Sequence, residues 1–337
     1  MSNYDPLKLL TNCKVFSTVK QDEDEAAWLA ARTRGLGGSD IGPICGVSHF
    51  SSARQIYLKK TGMFTELENE VLTPDSAAAE RMHFGHMLEP IVAHEYSLRT
   101  GEKLYDAQVT LEHNEYPWAL ANVDRFIVDE NNKPIGILEC KTSSEYNKED
   151  WEDGNIPVTY MYQLQWYLWI TGLEWGAFAC LVGGNKFYHY KVYRDDELLN
   201  NTIIPAAKKF WFENVLALVE PEMQESDTDF VNAVNVECEK NSEMFFEDDA
   251  TNELLRTIVD CKANIKELEG IMTEAQNRIK DKLGNTEIGY SADYTVKWSP
   301  RKRTALDAGK VQSLYPNIYA ECLSTTSYRM MTVKGAK

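Results

Sequence analysis

Along this 337-residue chain the spacing of apolar positions changes several times, and each change marks an element boundary. Residues 24–62 read as short helices interrupted by the glycine-rich turn Arg34-Gly35-Leu36-Gly37-Gly38-Ser39-Asp40, where Ser39 or Asp40 is placed to cap the following helix. A longer helical pattern covers residues 75–98 and stops at Thr100-Gly101. The pattern then becomes that of strands. Residues 104–113, 118–128 and 135–142 are short runs of aliphatic and aromatic residues separated by turn formers. Asp129-Glu130-Asn131-Asn132-Lys133-Pro134 joins the second and third runs as a hairpin turn centred on the two asparagines. A helix at residues 158–171 precedes two further strands, 175–182 and 186–193. This order predicts an α/β fold with a mixed central sheet flanked by helices.

Another helix runs on through Leu218, after which residues 220–249 are acidic and lack periodic apolar positions, the pattern of a linker or mobile loop. Beyond it Leu254, Leu255, Ile258, Val259, Ile265, Leu268, Ile271, Met272, Ile279 and Leu283 recur at helical spacing and predict one long amphipathic helix. Strand-like alternation returns near 294–298 and 328–333. The expected organisation is therefore a core of residues 1–219, a linker at 220–249 and an appendage at 250–337 holding the long helix and short strands.

Composition narrows the function classes. Hydrophobic residues at 43% and charged residues at 26% are ordinary for a globular protein and indicate neither a disordered nor a membrane class. No apolar run approaches the roughly 18–20 residues that span a bilayer, and the opening Met1-Ser2-Asn3-Tyr4-Asp5-Pro6 has no basic region before an apolar one, so a cytoplasmic location is expected. The seven cysteines are scattered without a Cys-x-x-Cys pair, which excludes disulfide frameworks, zinc ribbons and iron-sulfur clusters. A net charge of −17 argues against a protein that coats nucleic acid. It leaves open an enzyme that meets DNA in one local groove.

The chemistry gathers on the hairpin. If it closes about Asn131 and Asn132, Asp124 falls opposite Glu139 in Ile137-Leu138-Glu139-Cys140-Lys141, and Lys141 points to the same face. Two carboxylates this close repel unless a cation lies between them. Magnesium suits them because it takes hard oxygen ligands, the Cys140 carbonyl is a candidate for another, and manganese is the candidate substitute. Lys141 is placed to orient water or offset charge on a phosphate. A surface hairpin with a cross-strand ion pair is the plain alternative. Glu89, in Gly85-His86-Met87-Leu88-Glu89-Pro90, is a third carboxylate that could complete a metal shell, or a solvated helical glutamate. Gln163 and Tyr167 share one helix face and are candidates to hold phosphate or water, in a helix whose Tyr162, Trp166 and Trp169 otherwise read as packing.

Together, Asp124, Glu139-Cys140-Lys141, Gln163-x-x-x-Tyr167 and Glu89 resemble the PD-(D/E)XK nuclease superfamily, most of all its lambda-exonuclease-like branch, the YqaJ viral recombinases. Trp28-Leu29-Ala30-Ala31-Arg32 and Gly37-Gly38-Ser39-Asp40-Ile41 resemble the segment of that family that holds the 5'-phosphate of a DNA end. The likeness covers about residues 24–215. It implies a PD-(D/E)XK core, with Arg32 and Ser39 as the phosphate-binding pair, although Arg34 stands close enough in sequence to replace Arg32.

The resemblance further implies a magnesium-dependent exonuclease acting on linear double-stranded DNA from the 5' end, in a bacterial or phage-infected cell. Its 3' single strand would pass to a single-strand annealing protein. Relatives of this branch form ring trimers, so an oligomer is expected, with Lys59, Lys60, Lys208 and Lys209 as candidate channel-lining residues. Arg301-Lys302-Arg303 and the long helix have no place in the shorter members of the family; a DNA-contacting arm, an oligomer contact, a docking site and a simple stabilising appendage all remain open. An endonuclease, a 3' exonuclease, a non-catalytic DNA-end or protein-binding module and an acidic DNA mimic are the competing functions.

Overall fold

In chain order the first part of the protein runs β1 (Cys13–Ser17), α1 (Glu25–Thr33), α2 (Gly38–Ile44), α3 (Ala53–Thr61), α4 (Glu66–Leu72), α5 (Ser76–Thr100), β2 (Lys103–Tyr105), β3 (Thr110–His113), β4 (Leu120–Asn122), β5 (Arg125–Val128), β6 (Pro134–Ser143), α6 (Val158–Thr171), β7 (Trp175–Val182) and β8 (Lys186–Tyr193). The computed structural model describes residues 6–19, 23–73, 75–235, 238–239, 241–325 and 328–335. The chain divides into two units, Met1–Val234 and Asn235–Lys337.

The central sheet has the order β2-β5-β6-β7-β8, with β6 and β7 parallel and every other pair antiparallel. A parallel pair needs a long connection, and α6 lies within the one between β6 and β7. Side chains of these strands alternate between two apolar layers. Phe126, Ile137, Phe178 and Cys180 join the larger core, which includes Leu164, Trp166, Tyr167 and Leu168 of α6. Ile127, Leu138, Cys140, Ala177 and Ala179 join a smaller core with Val92, Ala93 and Tyr96 of α5. The expected mixed sheet flanked by helices is thus present, and strand parity sends Glu139 and Lys141 to the α6 side with Ile137.

Several boundaries differ from the pattern-based ones. Residues 104–113 and 118–128 each break in two, because β3 and β4 pair with β1 in a separate three-stranded sheet while β2 and β5 enter the central one. Apolar alternation reports burial and carries no record of which neighbour a strand pairs with. Val123 and Asp124 are the residues at which the chain changes sheets. Neither Ser39 nor Asp40 caps α2; Gly37 does, and the Asp40 carboxylate accepts its N–H at 2.8 Å. The additional helix α4 carries a capping box, in which Thr65 and Glu68 each accept the other's backbone N–H.

The stretch expected to be a linker from residue 220 belongs in its first part, as far as Val234, to the first unit. Glu225–Asp227 forms a short turn of helix and Thr228–Val234 a full one. Phe230 is buried beneath the Arg54 guanidinium, and the buried Asp227 accepts from the Ser52 hydroxyl and from the Gln224 N–H. Phe230 and Val234 supply the apolar contacts while Glu220, Gln224 and Asp227 supply polar ones, a mixture that produces no periodic signal.

In the second unit the expected long helix spans Asp249–Leu283, capped by Asp248, whose carboxylate accepts the Thr251 N–H at 2.6 Å. Ile288–Tyr290 and Thr295–Lys297 form a two-stranded hairpin. Residues 328–335 carry no strand, in contrast to the alternation there, and Ala308–Leu314 and Pro316–Glu321 are helices that apolar spacing did not suggest. Arg301, Lys302 and Arg303 lie in an exposed segment without regular structure. Among the described residues no helix is long and apolar enough to cross a membrane.

Candidate active site

Asp124 immediately precedes β5, where Arg125 pairs with Leu138, Phe126 with Ile137 and Ile127 with Gly136. Continuing that register one step sets Asp124 opposite Glu139. Its carboxylate accepts the backbone N–H of Cys140 at 2.8 Å. Glu139 is 1% exposed, and its two oxygens have unequal surroundings. Oε1 accepts from Lys141 Nζ at 2.9 Å and from Gln163 Nε2 at 2.7 Å. Oε2 is buried and has no hydrogen-bond partner among the described residues. Gln163 Nε2 also donates to the Tyr167 hydroxyl at 3.3 Å. Asp124, Glu139, Lys141, Gln163 and Tyr167 are therefore linked through the sheet and α6.

Burial raises the Glu139 carboxyl to about 8, with Asp124 adding to the rise and Lys141 opposing it. Asp124 is raised as well, by burial first, against the pull of Lys141 and the Cys140 N–H. Burial works against the Lys141 ammonium, yet Glu139 and Asp124 outweigh it and hold that charge firmly. Two acids short of compensating positive charge, one with an unpartnered buried oxygen, suit a hard divalent cation. The donor set fits such an ion.

Glu89 stands differently from expectation. It comes from α5, on the other side of the sheet from α6, and Arg125 holds its Oε1 at 2.6 Å. Burial and the Asp124 charge raise its carboxyl while Arg125 lowers it, so it borders the pair without completing a carboxylate cluster. Among the described residues no group of three or more His, Cys, Asp or Glu side chains is arranged to hold a metal. The Cys140 side chain packs in the α5 core, which leaves its main chain as the only part directed to the site's chemistry.

The second predicted cluster adjoins the first. Arg32 Nη2 donates to Ser39 Oγ at 3.0 Å, with its guanidinium 4.5 Å from the Trp28 ring centroid. Arg34 turns instead over Phe16, 5.4 Å from that ring, which separates the two arginines that the sequence left equivalent. α2 packs against α6 so closely that a Cβ on Gly38 would lie 2.5 Å from the Tyr167 ring and 3.0 Å from Gln163. Gly38→Ala is expected to displace that ring, costing about 1–3 kcal/mol of stability through overpacking and lowering any activity of the site. An unchanged urea midpoint together with full turnover would show that this contact is not needed.

The proposed lining lysines do not act as a set. Lys60 is held by Asp40 at 2.8 Å and by the Arg32 carbonyl at 2.9 Å, a buried tie between α3 and the start of α2. Lys208 lies 4.3 Å from the Tyr116 ring and lines a cavity with Trp169 and Gly172 at the C-terminal end of α6. Lys59 and Lys209 are exposed.

Two participants escaped sequence reasoning. Tyr160 places its ring 5.0 Å from Lys141 Nζ and stacks on Trp151, so it gives the ammonium a second, aromatic contact besides Glu139. Its position one turn before Gln163 was the available signal. Arg125, which neutralises Glu89, follows Asp124 directly.

Residues 27–174 match the family model described as the YqaJ-like viral recombinase domain. Protein YqaJ of Bacillus subtilis (strain 168) is 34% identical over 322 residues, covering 94% of this chain and 95% of the relative. Among solved structures, an alkaline exonuclease from Laribacter hongkongensis aligns at 20% identity with a TM-score of 0.43, over 58% of this chain and 94% of that one. A phage-related exonuclease from Haemophilus somnus 129PT aligns at 14% identity with a TM-score of 0.37, over 55% and 96%.

Proposed function

The chain belongs to the YqaJ-like viral recombinase family, and from that premise we propose that it is a divalent-cation-dependent deoxyribonuclease. In this reading it degrades one strand of linear double-stranded DNA from the 5' end, using magnesium or manganese, and leaves a 3' single strand for an annealing protein. The observation that carries the reading is Glu139, whose carboxyl feels the Asp124 charge and whose Oε2 has no partner among the described residues while Oε1 accepts from Lys141 and Gln163.

Asp124 and Glu139 would hold the cation, with the Cys140 carbonyl as a further oxygen donor. When bound, the ion supplies Lewis acidity and charge neutralisation at the scissile phosphodiester. The residues themselves supply position. Gln163 and Lys141 fix the Glu139 carboxylate so that one oxygen is committed and the other free. Lys141, held between Glu139 and Tyr160, presents an ammonium to charge developing on the phosphate. Arg32 and Ser39 would take the terminal 5'-phosphate, with Trp28 keeping the guanidinium flat and oriented. Glu89, matched by Arg125, sets the potential at the border of the pair and is available to the ion if Arg125 moves aside.

The test is cleavage of matched linear duplexes with and without a 5'-phosphate, alongside closed circular DNA, in magnesium. Attack on linear duplex that prefers the 5'-phosphate is expected. Equal attack on circles would sink the exonuclease reading, and release from the 3' end would reverse its polarity. Arg32→Ala is expected to erase most of the 5'-phosphate preference, roughly 10- to 100-fold for a lost charge-assisted contact. An unchanged preference in that variant would remove Arg32 from the end pocket.

A further inference from the structure

We propose that the helix Asp249–Leu283 pairs antiparallel with the same helix of a second copy of this chain, forming a two-stranded coiled coil. This goes beyond the nuclease reading and does not rest on it. The helix has 35 residues, none of them buried. Leu254, Ile265, Leu268 and Met272 each leave more than half of their surface in water. A helix gains little stability from its own hydrogen bonds and persists mainly by covering its apolar face.

The form of that face identifies what covers it. Leu254, Ile258, Cys261, Ile265, Leu268, Met272, Ala275 and Ile279 are spaced alternately four and three residues apart. Glu253, Asp260, Glu267, Glu274 and Asp281 repeat every seven residues on a line turned away from that seam. A strict seven-residue repeat, in place of the 3.6-residue turn, belongs to helices that supercoil around another helix.

The seam is also complementary to itself when reversed. About a two-fold axis between Lys266 and Glu267, Ile258 meets Ala275, Cys261 meets Met272, Ile265 meets Leu268 and Leu254 meets Ile279. Larger side chains thus face smaller ones at the two layers where a parallel pair would set Ala275 against Ala275 and Met272 against Met272, leaving one layer loose and the other crowded. Along the flank, Lys262 of each copy comes within reach of Glu269 of the other. The seam is about 38 Å long. With roughly 100 Å² of apolar surface for each of its side chains, it approaches the ~800 Å² per partner of a standard stable interface.

The experiment uses the full chain with the exposed Cys238 and Cys322 replaced by serine, leaving Cys261 as the exposed thiol of the second unit. Light scattering should show the particle mass halve in the double variant Ile265→Glu/Leu268→Glu. Met272→Cys should then allow mild oxidation to link two chains through Cys261 and the new thiol, seen as a doubled mass on a denaturing gel, while the Cys238/Cys322-replaced chain without it stays unlinked. A mass unchanged by the glutamates would overturn the coil. Efficient linkage through Cys261 alone would overturn the antiparallel direction and favour a parallel pair.

Discussion

Lys141→Ala is expected to lower cleavage of linear duplex by at least ~10²-fold, the scale observed when one fixed donor to transition-state charge is removed. The size of the effect follows from how the ammonium is held. Glu139 fixes it at 2.9 Å, the Tyr160 ring closes one side, and only 17% of its side chain remains exposed. A mobile surface lysine could be replaced by solvent; this one presents its charge without reorganisation.

The fold should survive the change. The side chain contacts chiefly Glu139 and Tyr160, and a Glu139 carboxyl raised to about 8 already holds its proton at neutral pH in the cation-free protein, so loss of the ammonium strands no carboxylate charge there. Single-turnover cleavage of end-labelled duplex, with the thermal midpoint measured on the same preparation, checks both halves. Turnover near the parent rate would reject the assigned site. Lys141→Arg tests geometry apart from charge: a planar guanidinium cannot occupy the space of a compact ammonium between Glu139 and Tyr160, so activity should stay low.

How much of this was legible beforehand depends on the range of the interactions. The hairpin could be read because its information is local. Asn132 takes a left-handed conformation (φ 61°), and Asp129 Oδ1 accepts the N–H groups of Asn131 and Lys133, as an Asn-rich turn suggests. The irregularity between Ile127 and Val128 lies on the turn side of the register and leaves Asp124 opposite Glu139. Gln163 and Tyr167 were equally local, four residues apart on one helix.

The arrangement of Glu89 was not local. Whether α5 brings its carboxylate to the pair or to Arg125 depends on which side of the sheet that helix packs, and its own sequence carries no mark of the choice. The close approach at Gly38 was hidden for the same reason: a glycine in a Gly-Gly pair reads as a turn, while its actual constraint is the Tyr167 ring 129 positions away. Gln163 and Glu139 are 24 residues apart in the chain and meet because β6 and α6 are consecutive. Long-range contacts were foreseen only where consecutive elements made them.

Glu139→Gln should abolish cleavage and at the same time stabilise the cation-free protein at alkaline pH. The sign follows from linkage. A carboxyl at about 8 in the folded state and near its ordinary value when unfolded makes the folded chain bind more protons between roughly pH 4.5 and 8. Stability therefore falls as pH rises through that window, and the raised Asp124 adds in the same direction. Lys141, whose pKa is raised, keeps its stabilising contribution until pH passes the ordinary lysine range, so it contributes no slope here. A neutral amide at residue 139 removes one of three contributions that slope this way, Glu89 being raised as well, while preserving shape. The variant should gain roughly 2–4 kcal/mol over the parent at pH 8.5 and little at pH 5, after allowance for relaxation of so buried a pair. Because the acidic chain, at −17, loses stability with rising pH for other reasons too, the difference between the two proteins is the quantity to measure. Magnesium separates structural from functional strain: an ion accepted by Oε2 and Asp124 should raise the parent's thermal midpoint at pH 8.5 and leave the variant's almost unmoved. Parallel pH–stability curves for the two proteins, or an equal response to magnesium, would show that the unpartnered oxygen of Glu139 is not where the cation binds.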